Sequence, residues 1–291
     1  REEVISALHS NGIYTLEVQG TVVKKYYPQS HLRMMSDIDF IIPVEKLDDA
    51  KLVMQSIGYT ADNPYGIGID ASKNMINIEL HTRFFTTQDA DLNPMNFPYS
   101  FAVCGENFTA TVTDTIFYLY HLMHTIKHLK YQGLGIRRIV DLYYLENALK
   151  DKVDYDYIDS FLKEYGLYDN KLQLLAVKDY WFYGIKPKAD ISEIQKYILE
   201  SGTHGTLENY YKNMFLKERA KGKHFVKIRY LLEFLFPKKE YLYNAFPVCK
   251  KYHLPVVVCW FYRGIRIFKP EKFKSFKFVL SNLKIKIKRS K

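Results

Sequence analysis

The chain has 291 residues, with 47% hydrophobic and 25% charged residues and a formal net charge of +10. That length corresponds to roughly two domains and buries a core without staples, and the composition excludes a wholly disordered or collagen-like chain. The three cysteines, Cys104, Cys249 and Cys259, are widely spaced with no CxxC pair. They therefore suggest neither a disulfide framework nor a structural zinc module, and fit a reducing cytoplasm.

The charge is unevenly distributed. The first 150 residues hold 13 Lys+Arg against 17 Asp+Glu, the rest 29 against 15, and residues 269–291 alone nine against a single Glu. A split of this kind predicts two surfaces with different partners. Residues 1–30 carry no apolar h-region. The longest apolar run, Leu254 to Tyr262, is too short for a bilayer-spanning helix and reads as a buried strand or a turn of core helix. The expectation is a cytoplasmic protein, with its basic tail as the one route to a membrane surface.

In chain order, residues 2–11 read as a short helix ended by Asn11-Gly12, and residues 13–19 as a strand broken at Gly20-Thr21. The following VVKKYYPQ is a helix start or a loop. Residues 38–44, rich in β-branched side chains, predict a central strand. Leu47, Ala50, Val53, Met54 and Ile57 share a helical face, closed by Gly58. Alternation over residues 75–85 predicts another strand. From Thr113 the pattern turns helical: a helix to about Tyr131, a second over 136–150, then candidates at 155–165, 171–182, 192–200, 206–219, 225–235 and 239–253. The predicted fold is α+β: a mixed sheet core over residues 1–112, a mainly helical domain over 113–268 and a basic tail over 269–291.

The sharpest chemical signal is Ser36-Asp37-Ile38-Asp39-Phe40. On a strand, residues i and i+2 point to the same side, so Asp37 and Asp39 project together. Neighbouring carboxylates raise each other's proton affinity, and a divalent cation offsets that; Mg²⁺ takes oxygen ligands of this kind. The plain alternative is a strand end with two solvated aspartates. Upstream, Gly20-Thr21 suits close backbone approach to phosphate. Downstream, Glu79 lies between Ile78 and Leu80, where a buried unpaired carboxylate is costly unless it faces the two aspartates. Three carboxylates on adjacent strands suit two-metal, in-line displacement at phosphorus.

The order Gly20-Thr21, Asp37-Ile38-Asp39 and a third acid on a later strand resembles the polymerase-β-like nucleotidyltransferase superfamily. A closer resemblance is to its bacterial branch of uncharacterised nucleotidyltransferases. It rests on Gly20, Tyr27-Pro28, Arg33, Met35-Ser36-Asp37-Ile38-Asp39, Glu79-Leu80-His81, His124, Lys127-His128, Gly133, Gly135, Arg137 and Asp141. The chain departs from the pattern with Gln19 where a Lys precedes the glycine, and with Thr21 where Ser or Gly is usual. The resemblance implies Mg²⁺- or Mn²⁺-dependent transfer of a nucleoside monophosphate from an NTP to a hydroxyl or phosphate acceptor. Asp37, Asp39 and Glu79 would be the catalytic metal ligands, and Gly20, Thr21, Arg33 and Ser36 the phosphate contacts. Two other readings stay open: a catalytically silent binding protein of the same fold, and an RNA-modifying toxin-type nucleotidyltransferase.

His121, His124 and His128 share one helix face at i, i+3 and i+7. They are read as a packed face, as a metal site, or with His124 and His128 facing substrate. Arg137 and Asp141, at i and i+4, are read first as an ion pair and second as cleft residues. His81, two residues after Glu79, is read as an outer neighbour of the metals or a core-edge histidine. The tail 269–291, with Lys interleaved among Phe, Leu and Ile, is a solvated end or takes an anionic partner, a membrane surface or RNA.

Overall fold

The computed structural model describes residues 1–62, 68–84, 98–131, 133–202, 205–220, 225–239, 242 and 247–267. The basic tail at 269–291 lies outside them. Helix α1 (Glu2–Ser10) leads into β1 (Thr15–Glu17), followed by the one-turn α2 (Gly20–Val23), β2 (Ile38–Ile41) and α3 (Leu47–Ser56). Strands β3 (Thr60–Asp62), β4 (Gly68–Lys73), β5 (Ile76–His81), β6 (Val103–Cys104) and β7 (Thr109–Thr111) complete the sheet. Its order is β3-β4-β5-β2-β1-β7-β6. The β2/β5 and β1/β7 pairs are parallel and the rest antiparallel, so the sheet is mixed.

Alternation along the strands sorts the two faces. Phe40, Ile78, Leu80, Ile69 and Ala71 join Val4 and Leu8 of α1 and Ala50, Val53 and Met54 of α3 in one buried cluster. Each large side chain fully buried there contributes about 1.5–3 kcal/mol of transfer free energy. The intervening residues of the same strands, Asp39, Glu79, His81 and Asp70, belong to the opposite face. The strand predicted to start at Met75 begins one residue later. Asn74 and Met75, at φ 50 and 64, form a two-residue turn between β4 and β5, the left-handed geometry that suits a tight hairpin.

Among the described residues the remaining helices are α4 (Asp114–Lys130), α5 (Ile136–Leu149), α6 (Tyr155–Glu164), α7 (Tyr168–Tyr183), α8 (Ser192–Glu200), α9 (Leu207–Ala220) and α10 (Val226–Leu235), with two more at Pro247–Lys251 and Val256–Ile267. Asp154 caps α6, accepting from the Tyr157 N–H at 2.9 Å. The Leu254–Tyr262 run is helical from Val256, but Val257, Val258 and Phe261 are exposed while Cys259 is buried. No helix among the described residues is long and apolar enough to cross a membrane.

The chain divides into two compact units: residues 1–129 with 134–203, and residues 130–133 with 204–291. The first holds the sheet and α5 to α8. There α5 meets α7 through the buried Lys178, which pairs with Glu146, and through stacked Tyr143 and Phe182 rings. The second is held by rings of Tyr211, Phe215 and Tyr230, by the Asn213 amide donating to the Tyr131 carbonyl (3.0 Å), and by the Trp260 indole donating to the Pro237 carbonyl (2.9 Å).

Candidate active site

The strand register sets four carboxylates in one row. Asp39 on β2 faces Glu79 on β5, Glu79 faces Asp70 on β4, and Asp70 faces Asp62 on β3. Like charges directly opposite one another across strands are destabilising, so this row calls for positive charge. Asp37, predicted to share the strand, stands one residue before β2 begins, and the Ser36 hydroxyl lies 3.1 Å from its Oδ1. Burial, together with the charges of Asp39 and Glu79, raises the Asp37 carboxyl above its ordinary range. The same causes, burial and then the Glu79 charge, raise Asp70.

His81 lies at the C-terminal end of β5. Its Nε2 is 3.2 Å from Asp39 Oδ1 and 3.2 Å from Glu79 Oε2. Burial works to lower its pKa, but hydrogen bonds and charge from both acids prevail and push it up to about 9. The hydrogen bond from His81 leads the causes that hold Glu79 below its usual range, against burial. Among the described residues this is the one group of His, Cys, Asp or Glu arranged to hold an ion: the donor atoms of Asp39, Glu79 and His81 all lie within 4.8 Å of one another. Two carboxylates and an imidazole are a fitting donor set for a divalent cation. Asp37 is not in that group, and His81, read from the sequence as an outer neighbour, is.

The phosphate-loop residues sit at the N-terminus of α2. Gln19, its N-cap, is held at φ 54, ψ −127, a region sparsely used by side-chain-bearing residues and a site of stored strain. A Cβ on Gly20 would fall 2.5 Å from Arg33 Nη1 and 2.7 Å from Met35 Sδ, so any side chain there would have to push both of these ends aside. Thr21 is buried, and its hydroxyl has no hydrogen-bond partner.

Helix α5 ties this region together at three points. Asp141 accepts from Arg33 Nε and Nη2, both at 2.8 Å, and from the Tyr27 hydroxyl at 2.6 Å. Arg137 donates to the Met34 carbonyl at 3.0 Å. Arg138 approaches Gln19 Oε1 at 3.4 Å and the Nε2 atoms of His124 and His128 at 3.4 and 3.3 Å. The i, i+4 pair predicted between Arg137 and Asp141 is thus replaced by the long-range Arg33–Asp141 pair. Two of the Arg33 donors, read as phosphate contacts, are occupied by that carboxylate, while Nη1 faces Gly20. Burial opposes the charge on Asp141, but Arg33, His121 and Tyr27 hold its carboxyl below the usual range. Arg138 went unmarked in the sequence beside Arg137. Its signal was the doubled arginine one helical turn before Asp141.

On α4, His124 and His128 meet through their Nε2 atoms at 2.7 Å, whereas His121 lies apart from them, buried, and is driven down to about 3 by burial. The three histidines therefore form no joint metal site among the described residues. Lys127 on the same helix is lowered by burial and by the Arg138 charge, and raised by the charges of Glu79 and Asp39.

A family model described as uncharacterised nucleotidyltransferase matches residues 2–183. No curated protein matches the chain. Among solved structures, it is similar to the solution structure of the antibiotic-resistance factor ANT(2'')-Ia, at TM-score 0.41 and 9% identity over 62% of this chain and 94% of that one. The crystal structure of ANT(2'')-Ia in complex with adenylyl-2''-tobramycin gives TM-score 0.40 and 8% identity over 56% and 93%.

Proposed function

The chain belongs to the uncharacterised nucleotidyltransferase family, and from that premise we propose that it transfers a nucleoside monophosphate from an NTP to a hydroxyl or phosphate acceptor at a divalent-metal site formed by Asp37, Asp39 and Glu79. The observation that carries the reading is the in-register pairing of Asp39 with Glu79, beside Asp37, on one face of the sheet. Mg²⁺ or Mn²⁺ bound there would neutralise charge developing on the transferring phosphoryl group.

The chain's own residues have separable parts in this scheme. Gly20 lets Arg33 and Met35 approach the backbone closely, and Thr21, whose buried hydroxyl has no hydrogen-bond partner among the described residues, offers a donor to a phosphate. Ser36, whose hydroxyl lies 3.1 Å from Asp37 Oδ1, offers a further donor to the phosphates. Arg33, paired with Asp141 through Nε and Nη2, brings its Nη1 against Gly20. Lys127, within the field of Asp39 and Glu79, brings positive charge to the same face. Glu79 orients the acceptor hydroxyl. Arg137 and Asp141 hold the stretch from Tyr27 to Met34, while His124 and His128 meet Arg138 beside Gln19. We also propose that residues 1–112 carry the chemistry, while the helical residues 113–268 select the acceptor and the basic residues 269–291 meet an anionic partner.

The test is incubation with each α-³²P-labelled NTP, with Mg²⁺ or Mn²⁺, in the presence of RNA, protein and small hydroxyl acceptors. Label should move to one acceptor class and pyrophosphate should be released. Asp39→Asn should abolish both. Equal transfer by the variant, or none by the parent under any combination, overturns the reading.

A further inference from the structure

We infer that His81 is itself a ligand of the ion at this site, completing a donor set of Asp39, Glu79 and one imidazole that selects a first-row transition ion such as Mn²⁺ over Mg²⁺. The inference rests on the metal-site reading above and changes its ligands.

The geometry is that of a coordination edge. Two ligand atoms each about 2.1 Å from one ion stand about 3.0 Å apart at 90° and about 3.4 Å apart at the tetrahedral angle. His81 Nε2 stands 3.2 Å from one oxygen of Asp39 and 3.2 Å from one oxygen of Glu79. The same nitrogen touches both acids through hydrogen bonds, and it is the third corner of the group whose donor atoms all lie within 4.8 Å of one another.

The fold fixes this arrangement. Glu79 and His81 are i and i+2 on β5, so both project from the face opposite Ile78 and Leu80. Asp39 is the register partner of Glu79, so the parallel β2–β5 pair brings the three side chains together without a loop. Ring orientation is limited by burial, since the His81 side chain is only 20% exposed.

Donor chemistry then decides the ion. Mg²⁺ takes oxygen ligands and gives up its waters reluctantly. Imidazole nitrogen suits the first-row transition ions, and carboxylate oxygen extends to Mn²⁺. A set of two carboxylates and one imidazole favours Mn²⁺, Fe²⁺, Co²⁺ or Zn²⁺ over Mg²⁺.

The experiment titrates the full chain with Mn²⁺ and, separately, Mg²⁺, with and without a non-hydrolysable NTP. Electron-spin-echo modulation is then recorded on the Mn²⁺ form. Expected are tighter binding of Mn²⁺ than of Mg²⁺ and a ¹⁴N modulation from a coordinated imidazole in the parent protein, a readout that needs no variant. His81→Asn, its folding checked by thermal unfolding, should lose the modulation. It should lose Mn²⁺ affinity by at least the about 10–100-fold typical of outer neighbours, with a much smaller loss for Mg²⁺. Bound Mn²⁺ without ¹⁴N modulation, or equal losses for both ions, overturns the inference and leaves the carboxylate site standing. No Mn²⁺ binding under either condition overturns it together with the metal-site reading.

Discussion

Arg33 and Asp141, 108 residues apart in the chain, meet as a buried two-point ion pair, both nitrogen–oxygen distances 2.8 Å and the side chains 4% and 0% exposed. Removing one partner of such a pair leaves an uncompensated buried charge, at a cost of about 3–5 kcal/mol. Asp141→Ala and Arg33→Ala are each expected to destabilise by that order. Arg33→Met with Asp141→Leu should cost clearly less than the sum of the two single losses. Urea unfolding followed at both near- and far-ultraviolet wavelengths measures this, and additive losses would contradict it. Tyr27→Phe, which removes a hydrogen bond to the same carboxylate, should cost about 1.5–3 kcal/mol.

Gly20 tests the loop above that pair. With Arg33 Nη1 and Met35 Sδ both inside 3 Å of the Cβ position, Gly20→Ala must displace both, an overpacking cost of about 1–3 kcal/mol. The thermal midpoint should fall and nucleotide transfer should drop with it. A Gly20→Ala protein with the parent's midpoint and rate would show that the loop gives way freely.

Gln19 separates strain from contact. At φ 54 a side chain is disfavoured where glycine is not. Gln19→Gly should therefore be more stable than Gln19→Ala by about 1 kcal/mol, although both lose the approach to Arg138. Equal midpoints in denaturant would place the strain elsewhere.

Stability should depend on pH through His121. Its folded pKa, driven to about 3 by burial with Arg138 and Arg33 nearby, lies below the ordinary 6.5. Above pH 6.5 both folded and unfolded chains carry it neutral, and its effect is flat. As the pH falls from 6.5 toward 3, the unfolded chain takes up a proton that the folded one refuses, so stability declines at up to about 1.4 kcal/mol per pH unit. His124, also lowered, adds in the same direction. His121→Gln should flatten the profile of unfolding free energy between pH 6.5 and 4.5, and an unchanged slope would refute the assignment.

The carboxylate row predicts a dependence on ions. In chelator, Asp70→Asn should stabilise the chain by up to about 1 kcal/mol, by removing a like charge opposite Glu79 and Asp62. With Mn²⁺ at 100 times its dissociation constant, the parent should gain about 2.7 kcal/mol, and the benefit of Asp70→Asn should shrink. Thermal melts in EDTA and in Mn²⁺ measure both.

The parts of this site legible in the sequence were those written locally. Asp39, Glu79 and His81 follow from alternation on two apolar strands, and α3 from the spacing of Leu47, Ala50, Val53 and Met54. Strand β3 is three residues of Thr-Ala-Asp and β6 two residues of Val-Cys, too short for a period to register. Because β4 was not seen, Asp70 and the extent of the acidic row were invisible. Asp141 illustrates a different limit. Helical spacing offered it Arg137 four residues away, but the fold supplied Arg33 from the segment that leads into β2. A local rule worth a few tenths of a kcal/mol on an exposed helix gave way to a buried partner.

Helix α5 carries one further implication, for the order in which the molecule is built. Asp141, Arg137 and Arg138 anchor stretches that lie 103 to 119 residues upstream. Contacts of that separation form slowly, because the intervening chain must be ordered before they are gained. On a ribosome, the first 112 residues would emerge with the Arg33 guanidinium unmatched and the Gln19 turn unsupported. The acidic strands can pair early, but a chemically competent pocket forms only once α5 has been synthesised and has docked.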